Sequence, residues 1–361
     1  MFRRFLHGRG WRRSMEKHDH TFHYNQKFEL EAGESFPGFQ LKYTTLGRLN
    51  AERNNVIWVC HALTGSSDFT DWWGGLFTAD GPFDPSRHFI ICANILGGCY
   101  GSTGPLSLNS QTGRSFYHDF PTLTVRDVVR AYDLLRQELK INRVHTLLGG
   151  SLGGQQVLEW AILQPEVFQH IIPISCNAYH SPWGIAFNEA QRMAIEADPT
   201  WKENDPRAGS LGLKAARAIG MISYRQYQTY HETQSEKNNE NIDGFRAATY
   251  QRYQGDKLAN RFNTFTYWAL SKVMDSHNVG RTREGIAKAL NSIKSKTLVI
   301  GTDSDLLFPL SEQKYLADTI PGAELEVMPS IYGHDGFLVE FEHLKKVIKH
   351  YFKKNYSEVL V

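Results

Sequence analysis

The stretch VHTLLGGSLGGQQVLEWA, which begins at Val144, constrains the fold more than any other part of the chain. An apolar run precedes Ser151, a helical pattern follows it, and the residues from Gly149 to Gly153 form a G-x-S-x-G pattern. A sharp turn from a buried strand into a helix needs glycine, because neighbouring backbones approach closely there. The pattern therefore predicts a serine held at a helix N-terminus, where backbone N–H groups favour negative charge.

Short apolar runs and amphipathic helices alternate on both sides of this turn. Buried strands are predicted from runs rich in β-branched residues at 55–60, 88–93, 144–148, 170–175, 297–301 and 324–328. One of the helices between them is predicted at 124–139, where apolar residues share one face. This alternation predicts an α/β fold with a mostly parallel central sheet flanked by helices on both faces.

The domain organisation is predicted from the part of the chain in which strands and helices stop alternating. Residues 180–290 show helical patterns without a convincing buried strand, which predicts an inserted helical cap over a core domain formed by 25–179 and 291–361. Within the insertion, the polar stretch 232–244 is interpreted as a solvent-exposed loop. Two alternating antiparallel strands are predicted within 27–47, and residues 1–24 are expected to form a flexible tail.

Composition excludes several classes of function. The 40 basic and 38 acidic residues nearly cancel, so no strong field recruits nucleic acid or an anionic membrane. No apolar run reaches the roughly 18 residues of a membrane-spanning helix. The 4 cysteines form no C-x-x-C pair, which predicts free thiols and a cytoplasmic protein. No spacing of His, Cys and Asp matches a recognisable site, so no metal is expected.

A serine hydroxyl is a weak nucleophile and needs a histidine base and an acid that orients it. Asp303 and Asp305 follow one buried strand, and His334 and Asp335 follow the next, in the chain order Ser, Asp, His that the strand–turn–helix motif predicts. In a parallel sheet these positions meet at the carboxyl edge. At this point either aspartate could be the acid.

An oxyanion hole needs two N–H donors. The residue after the nucleophile, Leu152, supplies one, and Leu63 in the loop VCHALTGSSD is the best candidate for the second. His61 in that loop is then interpreted as structural. The Gly-rich stretch at 94–105 lacks the G-K-[ST] ending of a phosphate-binding loop, and Cys99 within it is interpreted as a packed thiol.

Eight motifs, taken together and in order, resemble the homoserine O-acetyltransferases of the α/β-hydrolase fold. They are CHALTGSSD, NILGGCYGSTGP, GGSLGGQQVLEWA, GMISYR, RYQGDKLANRFN, KVMDSHNVGR, DSDLLFP and GHDGFL. The resemblance runs from about residue 25 to 352 and covers both the predicted core and the inserted helices.

The resemblance implies a role for each candidate residue. Ser151 would be acylated by acetyl-CoA, His334 would be the general base, and Asp305 would be the acid that orients it. Arg225 would meet the carboxylate of L-homoserine, and Asp335 would meet its ammonium group. The resemblance also implies a homodimer formed through the helical insertion, with acetyl-CoA as a substrate and no permanently bound cofactor.

Several alternatives remain open at the level of sequence. Relatives in this family use succinyl-CoA as the donor or serine as the acceptor. An esterase or deacetylase would need the same three catalytic residues, with water as the acceptor. The pair of Arg225 and Asp335 favours a transferase, since a plain esterase has no need to bind an amino acid. A binding protein without catalysis is disfavoured by the intact Ser, Asp and His.

Overall fold

The structure is a computed structural model that describes residues 16–238 and 240–355. Its strands, in chain order, are β1 His18–Tyr24, β2 Phe28–Glu29, β3 Ser35–Phe36, β4 Phe39–Leu46, β5 Val56–Cys60, β6 Phe89–Ala93, β7 Leu108–Asn109, β8 Arg114–Ser115, β9 Val144–Gly150, β10 Phe168–Ile174, β11 Lys296–Thr302 and β12 Glu324–Met328. Its α-helices are α1 Thr70–Trp73, α2 Val125–Glu138, α3 Leu152–Leu163, α4 Pro182–Glu196, α5 Ser210–Tyr224, α6 Tyr227–Gln234, α7 Arg246–Ala259, α8 Thr264–Asp275, α9 Ile286–Asn291, α10 Leu310–Thr319, α11 Gly336–Val339 and α12 Phe341–Asn355.

Eight of the strands form one sheet in the order β1-β4-β6-β5-β9-β10-β11-β12. Within this sheet β6, β5, β9, β10, β11 and β12 are paired in parallel, whereas β4 is antiparallel to both β1 and β6. The parallel strands therefore end at one common edge, the carboxyl edge, as the alternation of strands and helices predicts. Two short antiparallel pairs, β2–β3 and β7–β8, lie outside this sheet.

The central strands are buried on both faces because helices cover the sheet on each side. Successive residues of β5 point to opposite faces: Trp58 packs in the cluster that contains α2 and α3, and Ile57 packs in the cluster that contains α1 and α12. The helix α2 starts at a capping box, in which Thr124 and Asp127 bond to each other's backbone N–H. The prediction of an α/β fold is confirmed.

The insertion between β10 and β11 carries the six helices α4 to α9. Ser181 caps α4, with Pro182 at its first position, and Asn263 caps α8. Apolar residues of these helices, such as Leu213 and Leu270, belong to the same hydrophobic cluster as the core helices. The stretch 235–245 between α6 and α7 is exposed at nearly all of its described positions.

The N-terminal segment and the last strand differ from the sequence predictions. The expected tail is wrong for His18–Tyr24, which is the edge strand β1 and pairs with β4 in the register Phe22↔Leu41. Alternate side chains of β1 pack on the sheet, where the ring of Tyr24 lies 5.2 Å from that of Phe39. Residues 1–15 of the expected tail lie outside the described residues.

The strand β12 was expected to be buried on both faces, but it is the opposite edge of the sheet and only Met328 in it is buried. Within 27–47, the two predicted strands prove to be the short pair β2–β3 and the longer β4, which pairs with β1 instead. In the described part of the chain, no helix is both long and apolar enough to cross a membrane.

Candidate active site

Ser151 lies at the turn between β9 and α3 with a backbone φ of 58° and ψ of −126°. This left-handed conformation is strained for a residue with a side chain. The flanking glycines are required by space: a Cβ at Gly149 would lie 2.6 Å from the carbonyl carbon of Gly153, and one at Gly153 would lie 2.2 Å from the carbonyl oxygen of Cys60. The predicted strand–turn–helix arrangement is confirmed at this position.

Ser151, His334 and Asp305 form a continuous hydrogen-bonded chain. The Ser151 Oγ lies 2.8 Å from His334 Nε2, and His334 Nδ1 lies 2.7 Å from Asp305 Oδ2. Because a carboxylate only accepts, Nδ1 carries the proton and Nε2 accepts from the serine hydroxyl. The other oxygen of Asp305 accepts from the N–H groups of Leu307 and Phe308, at 2.9 and 2.8 Å. The arrangement therefore fixes both the orientation and the tautomer of the imidazole.

The sequence offers Asp303 and Asp305 as candidates for the acid that orients His334, and the structure places them differently. Asp303 Oδ1 accepts a hydrogen bond from the backbone N–H of Ser330 at 3.0 Å, which ties the loop after β11 to the loop after β12. Asp305 is the carboxylate that the structure brings to His334. Asp303 therefore supports the loop that carries the histidine.

The two expected oxyanion donors lie on segments that touch each other. Leu152 is the first residue of α3, and Leu63 lies in the loop that leaves β5. The contact of Gly153 with the Cys60 carbonyl holds this loop against the first turn of α3. Neither Leu63 nor Leu152 donates its backbone N–H to an acceptor within the described residues.

Arg225 and Asp335 form an ion pair beside the histidine. Arg225 directly follows α5, and Asp335 directly follows His334 in the chain. Arg225 Nε lies 2.8 Å from Asp335 Oδ2, although its N–H is not directed at that oxygen. The side chains are 18% and 17% exposed, so the insertion brings a largely buried cation to the carboxyl edge. The ring of Tyr332 lies under the guanidinium, 5.4 Å from its carbon.

Sequence reasoning missed Glu312, a partly buried carboxyl group close to Asp305. Asn177, just after β10, donates a hydrogen bond of 3.0 Å to Glu312 on α10. Burial raises the pKa of Glu312 to about 7, and the nearby charge of Asp305 adds to this shift. The position of Asn177 at the carboxyl edge was the available signal, but nothing in the local sequence of α10 identifies Glu312.

A buried polar network joins the insertion to α3. The Nδ1 of His180 lies 3.4 Å from Gln155 Nε2, and its Nε2 lies 3.3 Å from Asn188 Nδ2 on α4. Asn188 in turn donates to Asp275 on α8 at 2.7 Å, and Arg192 donates to the other oxygen of Asp275 at 2.6 Å. These contacts fix the insertion on the core.

The cysteines do not offer a competing nucleophile. Burial raises the pKa of the Cys99 thiol to about 11, and the pKa values of Cys60, Cys92 and Cys176 are raised by burial as well. A thiol with a raised pKa remains protonated at neutral pH. Among the described residues, no group of three or more His, Cys, Asp or Glu side chains could hold a metal ion.

Comparison with known proteins identifies the family. Residues 55–341 match the family model of the alpha/beta hydrolase fold. The homoserine O-acetyltransferase of Cyclobacterium marinum is 50% identical over 342 residues, which cover 95% of this chain and 97% of the relative. The chain belongs to the homoserine O-acetyltransferase family. This identity runs through the core and the insertion together, so the family resemblance in the sequence is confirmed.

Solved structures of similar shape include both transferases and hydrolases. A homoserine O-acetyltransferase from Bacillus anthracis superposes with a TM-score of 0.84 at 23% identity and covers 92% of this chain and 97% of its own. An acetylester hydrolase from Corynebacterium glutamicum superposes with a TM-score of 0.82 at 25% identity and covers 93% and 96%. The shape is therefore shared by the homoserine O-acetyltransferase family and by hydrolases, and does not choose between the two reactions.

Proposed function

We propose that this enzyme transfers an acetyl group from acetyl-CoA to the side-chain hydroxyl of L-homoserine, giving O-acetyl-L-homoserine and CoA for methionine biosynthesis. The observation that carries the proposal is the ion pair of Arg225 and Asp335 directly beside the hydrogen-bonded Ser151, His334 and Asp305. The triad supplies acyl transfer chemistry, and the ion pair supplies charges of both signs for a zwitterionic acceptor.

In the first half-reaction, His334 Nε2 takes the proton of Ser151 Oγ as that oxygen attacks the thioester carbonyl. The N–H groups of Leu63 and Leu152 donate to the oxyanion that forms. The carbon–sulfur bond then breaks, CoA leaves as the thiol with the proton from His334, and an acetyl ester remains on Ser151.

In the second half-reaction, homoserine enters with its hydroxyl facing His334. The imidazole takes the hydroxyl proton, the alkoxide oxygen attacks the acetyl carbon, and the same two N–H groups stabilise the second oxyanion. Collapse breaks the bond to Ser151 Oγ, which regains the proton from His334. This order of events gives ping-pong kinetics.

The acceptor fits the ion pair without breaking it. Asp335 lies at the Nε side of Arg225, which leaves both Nη groups for an end-on fork to the carboxylate of the amino acid. The homoserine ammonium then lies against Asp335, so charges alternate around the pair. Desolvation of these groups by the insertion strengthens the contacts and keeps water from the acetyl ester.

Hydrolysis of acetyl esters is the second candidate function. The acetylester hydrolase from Corynebacterium glutamicum has the same overall shape, and the triad alone would serve both reactions. A hydrolase, in which water is the acceptor, would need no cation to bind an amino-acid carboxylate. This chain places the largely buried Arg225 at the site.

Thiol release from acetyl-CoA tests the proposal, with L-homoserine, L-serine or no acceptor, and with succinyl-CoA as a second donor. Release that requires both acetyl-CoA and homoserine supports the proposed reaction. Equal release without an acceptor would replace it with hydrolysis. Preference for succinyl-CoA or for serine would keep acyl transfer and change the substrate.

We also propose a homodimer formed through the insertion. Met193, Leu211, Ile222 and Tyr227 on α4, α5 and α6 are 61%, 68%, 58% and 81% exposed, which is unusual for large apolar side chains on neighbouring helices. The aromatic residues Phe265 and Tyr267 of α8 are buried and belong to the core, so they do not contribute to this exposed face. Sedimentation should give the mass of two chains for the wild type and of one chain for Ile222→Glu.

A further inference from the structure

The peptide group between Ala62 and Leu63 is held from its carbonyl side. The carbonyl oxygen of Ala62 lies 2.9 Å from Nδ1 of His61 and also accepts the backbone N–H of Gly65 at 2.9 Å. The N–H of the same peptide group belongs to Leu63. Two donors on one carbonyl restrict the rotation of the whole planar unit.

The tautomer of His61 follows from its contacts. The backbone N–H of Ile95 donates to Nε2 at 3.0 Å, so Nε2 carries no proton and Nδ1 must carry it. The Nδ1–H therefore donates to the Ala62 carbonyl. His61 is 2% exposed, and burial lowers its pKa to about 4, so it remains neutral at neutral pH.

In a trans peptide the carbonyl and the N–H point in opposite directions. A donor that fixes the Ala62 carbonyl therefore also fixes where the Leu63 N–H points, and it polarises that N–H as a donor. We propose that His61 is a positioning residue that aims the Leu63 N–H at the oxyanion of acyl transfer. This inference rests on the proposed function, in which Leu63 is an oxyanion donor.

The loop that carries Leu63 packs closely against the ring of His61. A Cβ at Gly65 would lie 3.1 Å from Cβ of His61 and 3.2 Å from its Nδ1, so the loop folds tightly over the ring. The carbonyl oxygen of His61 itself accepts a hydrogen bond of 3.3 Å from Gln156 on α3. The imidazole thus links the loop after β6, through Ile95, to the loop that carries Leu63.

Two substitutions separate the two hydrogen bonds of the ring. In His61→Asn, the side-chain amide N–H replaces Nδ1–H and retains the bond to the Ala62 carbonyl. In His61→Gln, the longer amide reaches the place of Nε2 and retains only the bond to Ile95. We expect His61→Gln to lower kcat by about 10- to 100-fold, as for the partial loss of one oxyanion donor, and His61→Asn to lower it much less.

The readouts distinguish positioning from general damage to the fold. Acetylation of Ser151 by acetyl-CoA and its discharge by homoserine should slow by the same factor in His61→Gln, since both oxyanions use the same N–H groups. The KM for homoserine and the pH profile of kcat should stay as in the wild type, and rates are expressed per Ser151 that can be acetylated. His88→Asn is the matched control, because His88 also contacts a backbone carbonyl, that of Asp84 at 3.2 Å, at the opposite edge of the sheet.

Equal kcat values for His61→Asn and His61→Gln would overturn the inference, as would an equal loss in His88→Asn. If the variants at position 61 do not fold, Gly65→Ala tests the same contact, because its methyl group presses on the ring and the Ala62 carbonyl; a kcat that stays at the wild-type value in this variant contradicts the inference. Failure of the proposed function is distinguishable, since the wild type itself would then not transfer acetyl groups.

Discussion

Within the described residues, histidines lie at both edges of the parallel sheet, but at only one edge do they have the arrangement of a candidate active site. At the carboxyl edge, His334 is hydrogen-bonded to Ser151 and Asp305. At the amino edge, the rings of His88 and His145 lie 5.5 Å apart, and those of His145 and His170 lie 5.2 Å apart. The amino-edge histidines line a cavity of about 870 Å³.

The difference shows that the size of a cavity does not make a catalytic site. Burial holds the pKa of His145 at about 4, as it does for His61 at the other edge, so a neutral imidazole is available at both. What the amino edge lacks, within the described residues, is a strained serine with an acid-oriented base. The carboxyl edge has these groups because strand ends and tight turns meet there.

The largest expected effect comes from removing the nucleophile. Ser151→Ala should lower kcat by on the order of 10⁶-fold, as for other serine nucleophiles, with little change in melting temperature. The matched control is Ser175→Ala, since Ser175 is also a buried serine with positive φ (43°), placed just after β10. Steady-state thiol release measures both. Comparable losses in the two variants would contradict the assignment of Ser151 as the nucleophile.

Binding of homoserine should depend on the planar shape of the Arg225 guanidinium as well as on its charge. Arg225→Lys keeps the charge but removes the planar fork, so the KM for homoserine should rise by about 10- to 100-fold. The rate of Ser151 acetylation by acetyl-CoA should not change, because the donor does not use this fork. Arg207→Lys is the control, with a side chain 92% exposed ahead of α5. Slower acetylation in Arg225→Lys at an unchanged KM would place the arginine at the donor instead.

Substitution of a histidine at the amino edge should change the pH dependence of stability and leave catalysis unchanged. Because the pKa of His145 is lowered in the folded state to about 4, the unfolded chain binds a proton first as pH falls below about 6.5. Stability is therefore lost between about pH 6.5 and 4, at up to about 1.4 kcal/mol per pH unit for this group. His145→Phe should flatten the slope in urea unfolding, whereas the exposed His23→Asn should not. An unchanged slope in His145→Phe would show that His145 is not the proton acceptor.

Glu312 should show the opposite sign and the smallest effect. Its pKa is raised in the folded state to about 7, so the folded protein keeps a proton that the unfolded chain loses above about pH 4.5. The group therefore destabilises the fold as pH rises through this window. Because Glu312 is only partly buried, solvent screening reduces the about 3 kcal/mol that such a shift would give at full strength. Glu312→Gln should therefore raise the free energy of unfolding at pH 8 by on the order of 1 kcal/mol and have no effect at pH 4. A loss of stability at pH 8 would contradict this sign.

The carboxyl edge was predictable from sequence because its signals are local. The glycines around Ser151 are forced by close backbone contacts, and the buried strand β11, which precedes Asp305, contains a continuous apolar run. These features need no knowledge of distant residues. Strand, turn and helix could therefore be predicted from the sequence alone.

The features that could not be predicted from the sequence depend on contacts between segments far apart in the chain. β1 was missed because its alternate residues are polar and exposed, so it carries no apolar run. The contact of Arg225 with Asp335 joins the residue after α5 to the loop after β12. The family resemblance assigned each side chain a role with the substrate but predicted no contact between them. The hydrogen bond between His61 and its own neighbour Ala62 is local. The loop conformation on which this bond depends could not be predicted from the sequence.

The central claim is that Ser151 carries the acetyl group on its way to homoserine, and the mass of the intact protein tests it most directly. Mixed with acetyl-CoA alone, the enzyme should gain the mass of one acetyl group, located on Ser151 by peptide mapping and absent in Ser151→Ala. Addition of L-homoserine should discharge it faster than buffer or L-serine and yield O-acetylhomoserine. An unmodified protein that still forms product, or an adduct that buffer removes as fast as homoserine does, would contradict the account.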